Sequence, residues 1–156
     1  MILDTADGRL LAAGTALRVR ADGDRAFLTF KGPVEHGVVK AREEIETEAT
    51  SADALLAICS ALGYKPAFRY EKYREEFTLP GVVIAVDDTP IGAFVEIEGD
   101  EAAIHALSSR LGFTAVDYVT QSYRALFVAW AGDDGAGRDM LFVPASSSAS
   151  TSSATP

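Results

Sequence analysis

Four short segments of the chain each place two charges of like sign on either side of one apolar residue. They are Arg18-Val19-Arg20, Glu44-Ile45-Glu46, Lys72-Tyr73-Arg74 and Glu96-Ile97-Glu98. Residues two apart in a β-strand point to the same side of the sheet, so each pair would lie on one face. Like charges side by side destabilise a sheet unless opposite charge lies beside them. Two pairs are cationic and two are anionic, a combination that suits a polyanion bound together with a divalent metal ion.

The remaining pattern predicts strands joined by hairpins, with a few amphipathic helices. Alternating or β-rich segments predict antiparallel strands near 15–20, 25–31, 38–48, 67–78, 82–87 and 92–98. Helical spacing predicts helices at about 51–62, 100–111 and 117–131, the first between Ser51 as N-cap and Gly63. An acidic pair, a helix and a Leu-Gly-aromatic turn occur twice, at 44–64 and 96–113. We therefore predict an α+β fold in which two related halves form an antiparallel β-barrel around a channel, with helices packed outside.

The composition of the chain limits where the protein can be located and which partners it can bind. At 156 residues the chain suits one domain, which we expect at 1–143, followed by a disordered Ser/Ala/Thr-rich tail at 144–156. The net charge of -9 argues against binding to nucleic acid or to an anionic membrane surface. A single cysteine, Cys59, excludes an internal disulfide and is expected in the core. With no apolar segment that suits a signal peptide or a bilayer span, we expect a cytoplasmic protein.

The charged pairs predict a site that binds linked phosphates. Arginine supplies forked donors for phosphate oxygens and lysine supplies a compact charge, whereas carboxylates bind phosphate only through Mg²⁺ or Mn²⁺. Phosphoryl transfer depends mostly on positioning and charge neutralisation, so the chemistry requires no Ser, Cys or His nucleophile. The alternative interpretation is a solvated sheet face on which opposite charges pair across strands.

The order of the motifs resembles the CYTH superfamily, the triphosphate tunnel metalloenzymes, which include class IV adenylate cyclases and thiamine triphosphatases. The matching segments are Leu3-Asp4-Thr5, Gly8-Arg9-Leu10-Leu11, Ala16-Leu17-Arg18-Val19-Arg20, Leu28-Thr29-Phe30-Lys31-Gly32-Pro33, Arg42-Glu43-Glu44-Ile45-Glu46, Lys72-Tyr73-Arg74, Asp87-Asp88-Thr89-Pro90-Ile91-Gly92, Phe94-Val95-Glu96-Ile97-Glu98-Gly99, Ser122-Tyr123 and Asp139-Met140-Leu141-Phe142. Each motif alone is weak, but the series in this order is specific to the family.

The resemblance implies a role for each charged position. The residues expected to bind the substrate phosphates are Arg18, Arg20, Lys31, Arg42, Lys72 and Arg74. The residues expected to bind Mg²⁺ or Mn²⁺ are Glu96, Glu98, Glu44 and Glu46, the first two above all. Lys72, Arg74 and Asp87 are expected to act in catalysis. The implied substrate is a small molecule that carries a triphosphate.

One family motif has no counterpart here. Members of the family begin with a Glu-x-Glu-x-Lys strand upstream of the segment that here starts at Met1. We therefore expect an N-terminally incomplete CYTH-like domain with weaker metal binding, lower activity and an exposed sheet edge that favours a homodimer. Three functions remain open: cyclisation of ATP to cyclic AMP, hydrolysis of a triphosphate such as tripolyphosphate, thiamine triphosphate or a nucleoside triphosphate, and phosphate binding without turnover.

Overall fold

A computed structural model of the chain describes residues 1–34 and 41–143. Within these ranges the chain forms eight strands and four α-helices. In chain order they are β1 (Ile2–Asp4), α1 (Arg9–Ala12), β2 (Ala16–Asp22), β3 (Arg25–Lys31), β4 (Glu44–Ala49), α2 (Ala52–Ala61), β5 (Lys65–Phe68), β6 (Tyr73–Leu79), β7 (Val82–Thr89), β8 (Gly92–Gly99), α3 (Glu101–Arg110) and α4 (Tyr123–Ala131).

The strands form two antiparallel sheets. The first sheet has five strands in the order β4-β3-β2-β1-β5, and the second has three in the order β6-β7-β8. The predicted α+β fold with antiparallel strands is therefore confirmed. Among the described residues, no strand of one sheet is hydrogen-bonded to a strand of the other, so the closed barrel stays a prediction.

The strand predicted at 67–78 is wrong as a single element. The segment contains β5 and β6, which belong to different sheets. Between them, the backbone of Arg69 and Glu71 pairs with the chain near the C-terminal end of the described region: the Met140 N–H donates to the Arg69 carbonyl at 2.9 Å, and the Glu71 N–H donates to the Met140 carbonyl at 3.0 Å. The backbone groups of Arg69 and Glu71 are thus paired outside both sheets, at the point where the chain passes from the first sheet to the second.

Helix α2 covers the uncharged side of the first sheet. Ser51 caps it as predicted, with its hydroxyl oxygen accepting from the Ala54 N–H at 3.1 Å. Leu55 and Cys59 of α2 pack against Val19 of β2 and form the first buried apolar cluster. Because Val19 alternates with its two arginine neighbours, this packing directs both arginines to the opposite face. The buried position of Cys59 is confirmed, and α2 packs on the face opposite the charged pairs.

Helix α4 begins later than its predicted start at about residue 117. Residues 115–117 form a short 3-10 turn, and α4 begins after Ser122, whose hydroxyl accepts from the Ala125 N–H at 3.2 Å. Phe127 of α4 packs with Phe68 and Met140 in a second apolar cluster, which also contacts Ile2 of the first sheet and Ile91 between β7 and β8. Helix α4 thus touches both sheets and helps to set where they lie relative to each other.

Two sequence-based predictions fall partly or wholly outside the described residues. The strand expected at 38–48 is described only from residue 41, so its Lys40 lies outside, and β4 begins at Glu44. The tail at 144–156 lies outside the described residues. In the described part of the chain, no helix is long and apolar enough to cross a bilayer.

Candidate functional site

One face of the first sheet carries a cluster of opposite charges, formed where β2, β3 and β4 lie side by side. The strand register aligns Arg18 with Thr29 and Thr29 with Glu46. Glu46 accepts a hydrogen bond from the Thr29 hydroxyl at 2.6 Å and lies 3.5 Å from the Arg18 guanidinium and 3.4 Å from that of Arg20. One carboxylate therefore lies within ion-pair distance of both arginines of the first cationic pair.

A second carboxylate extends the same cluster along β4. Lys31 is aligned with Glu44, and its ammonium nitrogen lies 2.7 Å from the Glu44 carboxylate. The Arg18 guanidinium lies 3.8 Å from the same carboxylate. The opposite charge that the first cationic pair requires is thus supplied by the first acidic pair of the same sheet.

The arginines of this cluster are partly buried, whereas its carboxylates are exposed. The side chain of Arg18 is only 17 % exposed. A guanidinium has five N–H donors. Among the described residues, the Nε–H donors of Arg18 and Arg20 are buried and have no hydrogen-bond partner. Burial alone would raise the pKa of Glu46, but the Thr29 hydroxyl and the two arginines outweigh it and hold this pKa below its usual range. Glu46 is therefore a carboxylate at neutral pH.

The second sheet builds its cluster around a buried aspartate. Asp87 in β7 is 0 % exposed, and its carboxylate accepts from the Lys72 ammonium at 2.8 Å. Two guanidinium nitrogens of Arg74 donate to it at 2.7 Å each, and the Tyr123 hydroxyl donates at 2.6 Å. Four donors around one carboxylate hold the two cations of the segment Lys72-Tyr73-Arg74 on the same side of the sheet.

These contacts fix the protonation states. Burial would raise the pKa of Asp87, but hydrogen bonds from Arg74, Lys72 and Tyr123 outweigh it and hold the pKa well below its usual range. Burial and the bond to Asp87 raise the pKa of Tyr123 far above its usual range, so the hydroxyl stays protonated. The bond from Arg74 to Asp87 and the charge of Glu96 raise the pKa of Arg74 despite its burial.

The acidic pair of β8 lies on the same face as this cluster. The register pairs Ala85 with Glu96 and Val83 with Glu98, in the same alternation as Asp87. The Glu96 carboxylate is hydrogen-bonded to the Arg74 guanidinium and lies 3.9 Å from the Lys72 ammonium. Glu98 is further along the face and borders a hollow of about 390 Å³ near the β6–β7 turn. Glu96, but not Glu98, is therefore part of the ionic cluster.

Two tyrosine rings join the two clusters. The Tyr70 hydroxyl lies 3.5 Å from the Arg18 guanidinium. The Tyr70 ring lies 5.9 Å, between centroids, from the ring of Tyr123, whose hydroxyl bonds to Asp87. A continuous chain of contacts thus runs from Arg18 in the first sheet to Asp87 in the second. Tyr70 therefore contacts both parts of the site.

The structure brings most of the predicted site residues into the two clusters. Arg42 lies just before β4, half-buried, and burial lowers its pKa although the nearby Glu44 carboxylate and Tyr70 oppose this effect. Sequence reasoning had cited Tyr123 only as part of a family motif and did not give it or Thr29 a role. In the described part of the chain, no three Asp, Glu, His or Cys side chains converge as a ready metal site, and the predicted metal-binding roles stay predictions.

The sequence matches one family model. The sequence model of the CYTH domain matches residues 1–123, and the chain belongs to the CYTH domain family. A Methanocaldococcus jannaschii protein named "Putative adenylate cyclase MJ0240" is 33 % identical over 84 residues, which are 53 % of this chain and 48 % of that protein. The match therefore spans about half the length of that relative.

Solved structures share the fold. The PH1012 protein of Pyrococcus horikoshii superposes with a TM-score of 0.68 at 20 % identity, over 78 % of this chain and 76 % of that one. The PH1819 protein of the same organism gives 0.65 at 26 % identity, over 83 % and 81 %. A Vibrio parahaemolyticus protein described as a putative adenylate cyclase gives 0.65 at 22 % identity, over 80 % and 76 %.

Proposed function

We propose that the chain binds a small molecule carrying a triphosphate between its two charged clusters and acts on it as an enzyme. The observation that carries the proposal is the convergence of two cationic pairs, one from each sheet, on clusters linked by Tyr70 and Tyr123. Membership of the CYTH domain family supports it. In this proposal the two charged faces form the walls of a tunnel.

The cations exchange partners when the substrate binds. In the structure, Glu44, Glu46 and Glu96 form ion pairs with five cations of the site, namely Arg18, Arg20, Lys31, Lys72 and Arg74. Phosphate oxygens offer the same charge-assisted hydrogen bonds and compete for the same donors. The proposed phosphate-binding residues are Arg18, Arg20, Lys31, Arg42, Lys72 and Arg74. Asp87 has no free surface, so we give it the role of positioning Lys72 and Arg74.

The carboxylates fit a hard divalent cation only in part. Glu44 and Glu46, and likewise Glu96 and Glu98, supply oxygen ligands two residues apart on one face, which suits Mg²⁺ or Mn²⁺. Each pair is short of a full ligand set, so substrate phosphate oxygens and water would complete the coordination. When bound, such a cation would neutralise charge on the phosphates.

Two reactions are compatible with such a site. In a class IV adenylate cyclase-like reaction, the ribose 3′-oxygen of ATP attacks the α-phosphorus, and pyrophosphate leaves as cyclic AMP forms. In a triphosphatase reaction, water is the nucleophile and phosphate or pyrophosphate leaves. Both reactions depend on positioning and on charge stabilisation, which the cationic pairs can supply.

The proposal is tested by separate incubations with ATP, tripolyphosphate and thiamine triphosphate, each with and without Mg²⁺ or Mn²⁺. Cyclic AMP with equimolar pyrophosphate identifies a cyclase, and release of phosphate or pyrophosphate without cyclic AMP identifies a triphosphatase. Arg74→Ala is the matched inactive variant, because it removes a cation that contacts both Asp87 and Glu96. Turnover that this variant retains in full would contradict the proposed site.

A binding module without turnover is the second candidate. It is favoured by one observation: Glu44, Glu46 and Glu96 are engaged by cations, and the described residues hold no ready metal site. A rise in melting temperature with tripolyphosphate, in the absence of turnover with any substrate or metal, would support it.

Self-association through an exposed strand edge remains a separate proposal, which sedimentation analysis would test.

A further inference from the structure

Tyr123 shares a carboxylate oxygen with the two cations of the second cluster. Its hydroxyl donates to Asp87 Oδ2 at 2.6 Å, the atom that also accepts from Lys72 at 2.8 Å and Arg74 at 2.7 Å. A carboxylate oxygen has about two lone-pair directions, so three donors on one oxygen restrict each other's placement. The hydroxyl of Tyr123 thereby limits where the Lys72 ammonium can lie.

The ring of Tyr123 contacts Lys72 from a second direction. The ammonium nitrogen lies 5.2 Å from the ring centroid, within the range of a cation–π interaction. Phe94 of β8 packs edge-on against the same ring, with a centroid distance of 5.4 Å. The ring is therefore held by the second sheet while it contacts Lys72.

The same ring also connects to the first sheet. Tyr70 packs against it at 5.9 Å and reaches Arg18 with its hydroxyl. The first residue of α4, Tyr123, follows the Ser122 cap, which fixes where the helix begins. The position of this one side chain therefore depends on both sheets.

We propose that Tyr123 is a positioning residue that holds Lys72, through Asp87 and through its own ring, at a set distance from the Arg18 cluster. Two separate cationic clusters can grip one phosphate chain only if their spacing matches its length, and preorganised spacing lowers the entropic cost of binding. The inference rests on the proposed function, because it concerns the same phosphate ligand.

The test compares Tyr123→Phe with Tyr118→Phe, using metal-free tripolyphosphate as the probe and calorimetry as the measurement. Tyr123→Phe keeps the ring and removes only the hydroxyl. Tyr118→Phe removes a hydroxyl that bonds His105 at 2.8 Å, so it controls for the loss of a tyrosine hydroxyl outside the clusters. We expect Tyr123→Phe to weaken tripolyphosphate binding about threefold to tenfold, the effect of one hydrogen bond, and Tyr118→Phe to leave it unchanged.

A purely structural role predicts a different result, because phenylalanine fills the same space. Binding by Tyr123→Phe that equals wild type, or an equal loss in Tyr118→Phe, would overturn the inference and leave the proposed function standing. Failure of the wild-type protein to bind tripolyphosphate would overturn both.

A second measurement is made on the wild-type protein, with one variant used only to assign the signal. The ¹H–¹⁵N signal of the Lys72 ammonium, assigned with Lys72→Arg, is expected to be resolved at neutral pH because Asp87 and the Tyr123 ring hold the group in place. A signal lost to rapid exchange with water would contradict the positioning role.

Discussion

Replacing Asp87 by Asn removes the negative charge that Lys72 and Arg74 both contact. Removing one partner of a buried ion pair costs about 3–5 kcal/mol, because the remaining charges lose their compensation. Lys72 and Arg74 are 16 % and 27 % exposed and keep Glu96 as a second partner. We therefore expect a loss at the lower end of that range, about 3 kcal/mol.

The assay is thermal and urea unfolding followed by far-UV circular dichroism. For a domain of this size, a loss of about 3 kcal/mol lowers the melting temperature by roughly 6–12 °C. Asp88→Asn is the matched control, because Asp88 is the next residue of β7, is exposed and points to the other face. Its effect should stay within about 0.5 kcal/mol. Equal stability of the two variants would refute the claim that Asp87 anchors the cluster.

The same variant makes a prediction about pH. The folded-state pKa of Asp87 is depressed, so its contribution to stability is complete above the unfolded-state pKa of about 3.9. The contribution is lost as the pH falls from there through the folded-state value. The stability gap between wild type and Asp87→Asn should be constant near neutral pH and narrow below about pH 4. A gap that is independent of pH down to the acid transition would show that the charge of Asp87 is not its source.

Three further changes test other parts of the structure. Glu46→Gln removes the carboxylate that competes with phosphate for Arg18 and Arg20. Calorimetry should therefore show metal-free tripolyphosphate binding about threefold to tenfold more tightly, and weaker binding would contradict the exchange of partners. Arg74→Lys loses the forked donor pair and should weaken tripolyphosphate binding about tenfold. The control Arg110→Lys, at an exposed arginine on α3, should not weaken it. Ser51→Ala removes the cap of α2 and should cost about 1 kcal/mol in urea unfolding without changing phosphate binding, and no loss would argue against the cap.

The sequence predicts the individual elements of this fold better than their assembly. Helix α2 follows from local signals, its Ser51 cap and the apolar spacing after it, because these act within one turn of the chain. The face that carries the acidic pairs follows from the two-residue period of a strand. The same period runs unbroken through the segment from Tyr70 to Arg74, so it cannot reveal that the chain changes sheets there. The backbone bonds to Met140 at this point join residues far apart in sequence.

The candidate site, like the fold, can be predicted from the sequence only where the signal is local. Alternation indicates that Lys72 and Arg74 share a face, but not that Asp87 is buried beneath them with Tyr123 as a fourth donor. Asp87 and Tyr123 lie 36 residues apart, and no local pattern relates a strand position to the first turn of a later helix. The Ser122 cap that starts α4 was a usable signal, because a residue just after a cap has a fixed direction relative to the helix.

The central claim is that the two cationic clusters together form one triphosphate site. Calorimetric titration of the metal-free protein with tripolyphosphate, orthophosphate and sulfate tests it most directly. We predict one tripolyphosphate per chain, bound at least a hundredfold more tightly than orthophosphate or sulfate, because only the linked phosphates reach Arg18 and Lys72 at once. Tripolyphosphate binding no tighter than that of orthophosphate, or equal binding by Arg18→Gln and wild type, would contradict the account.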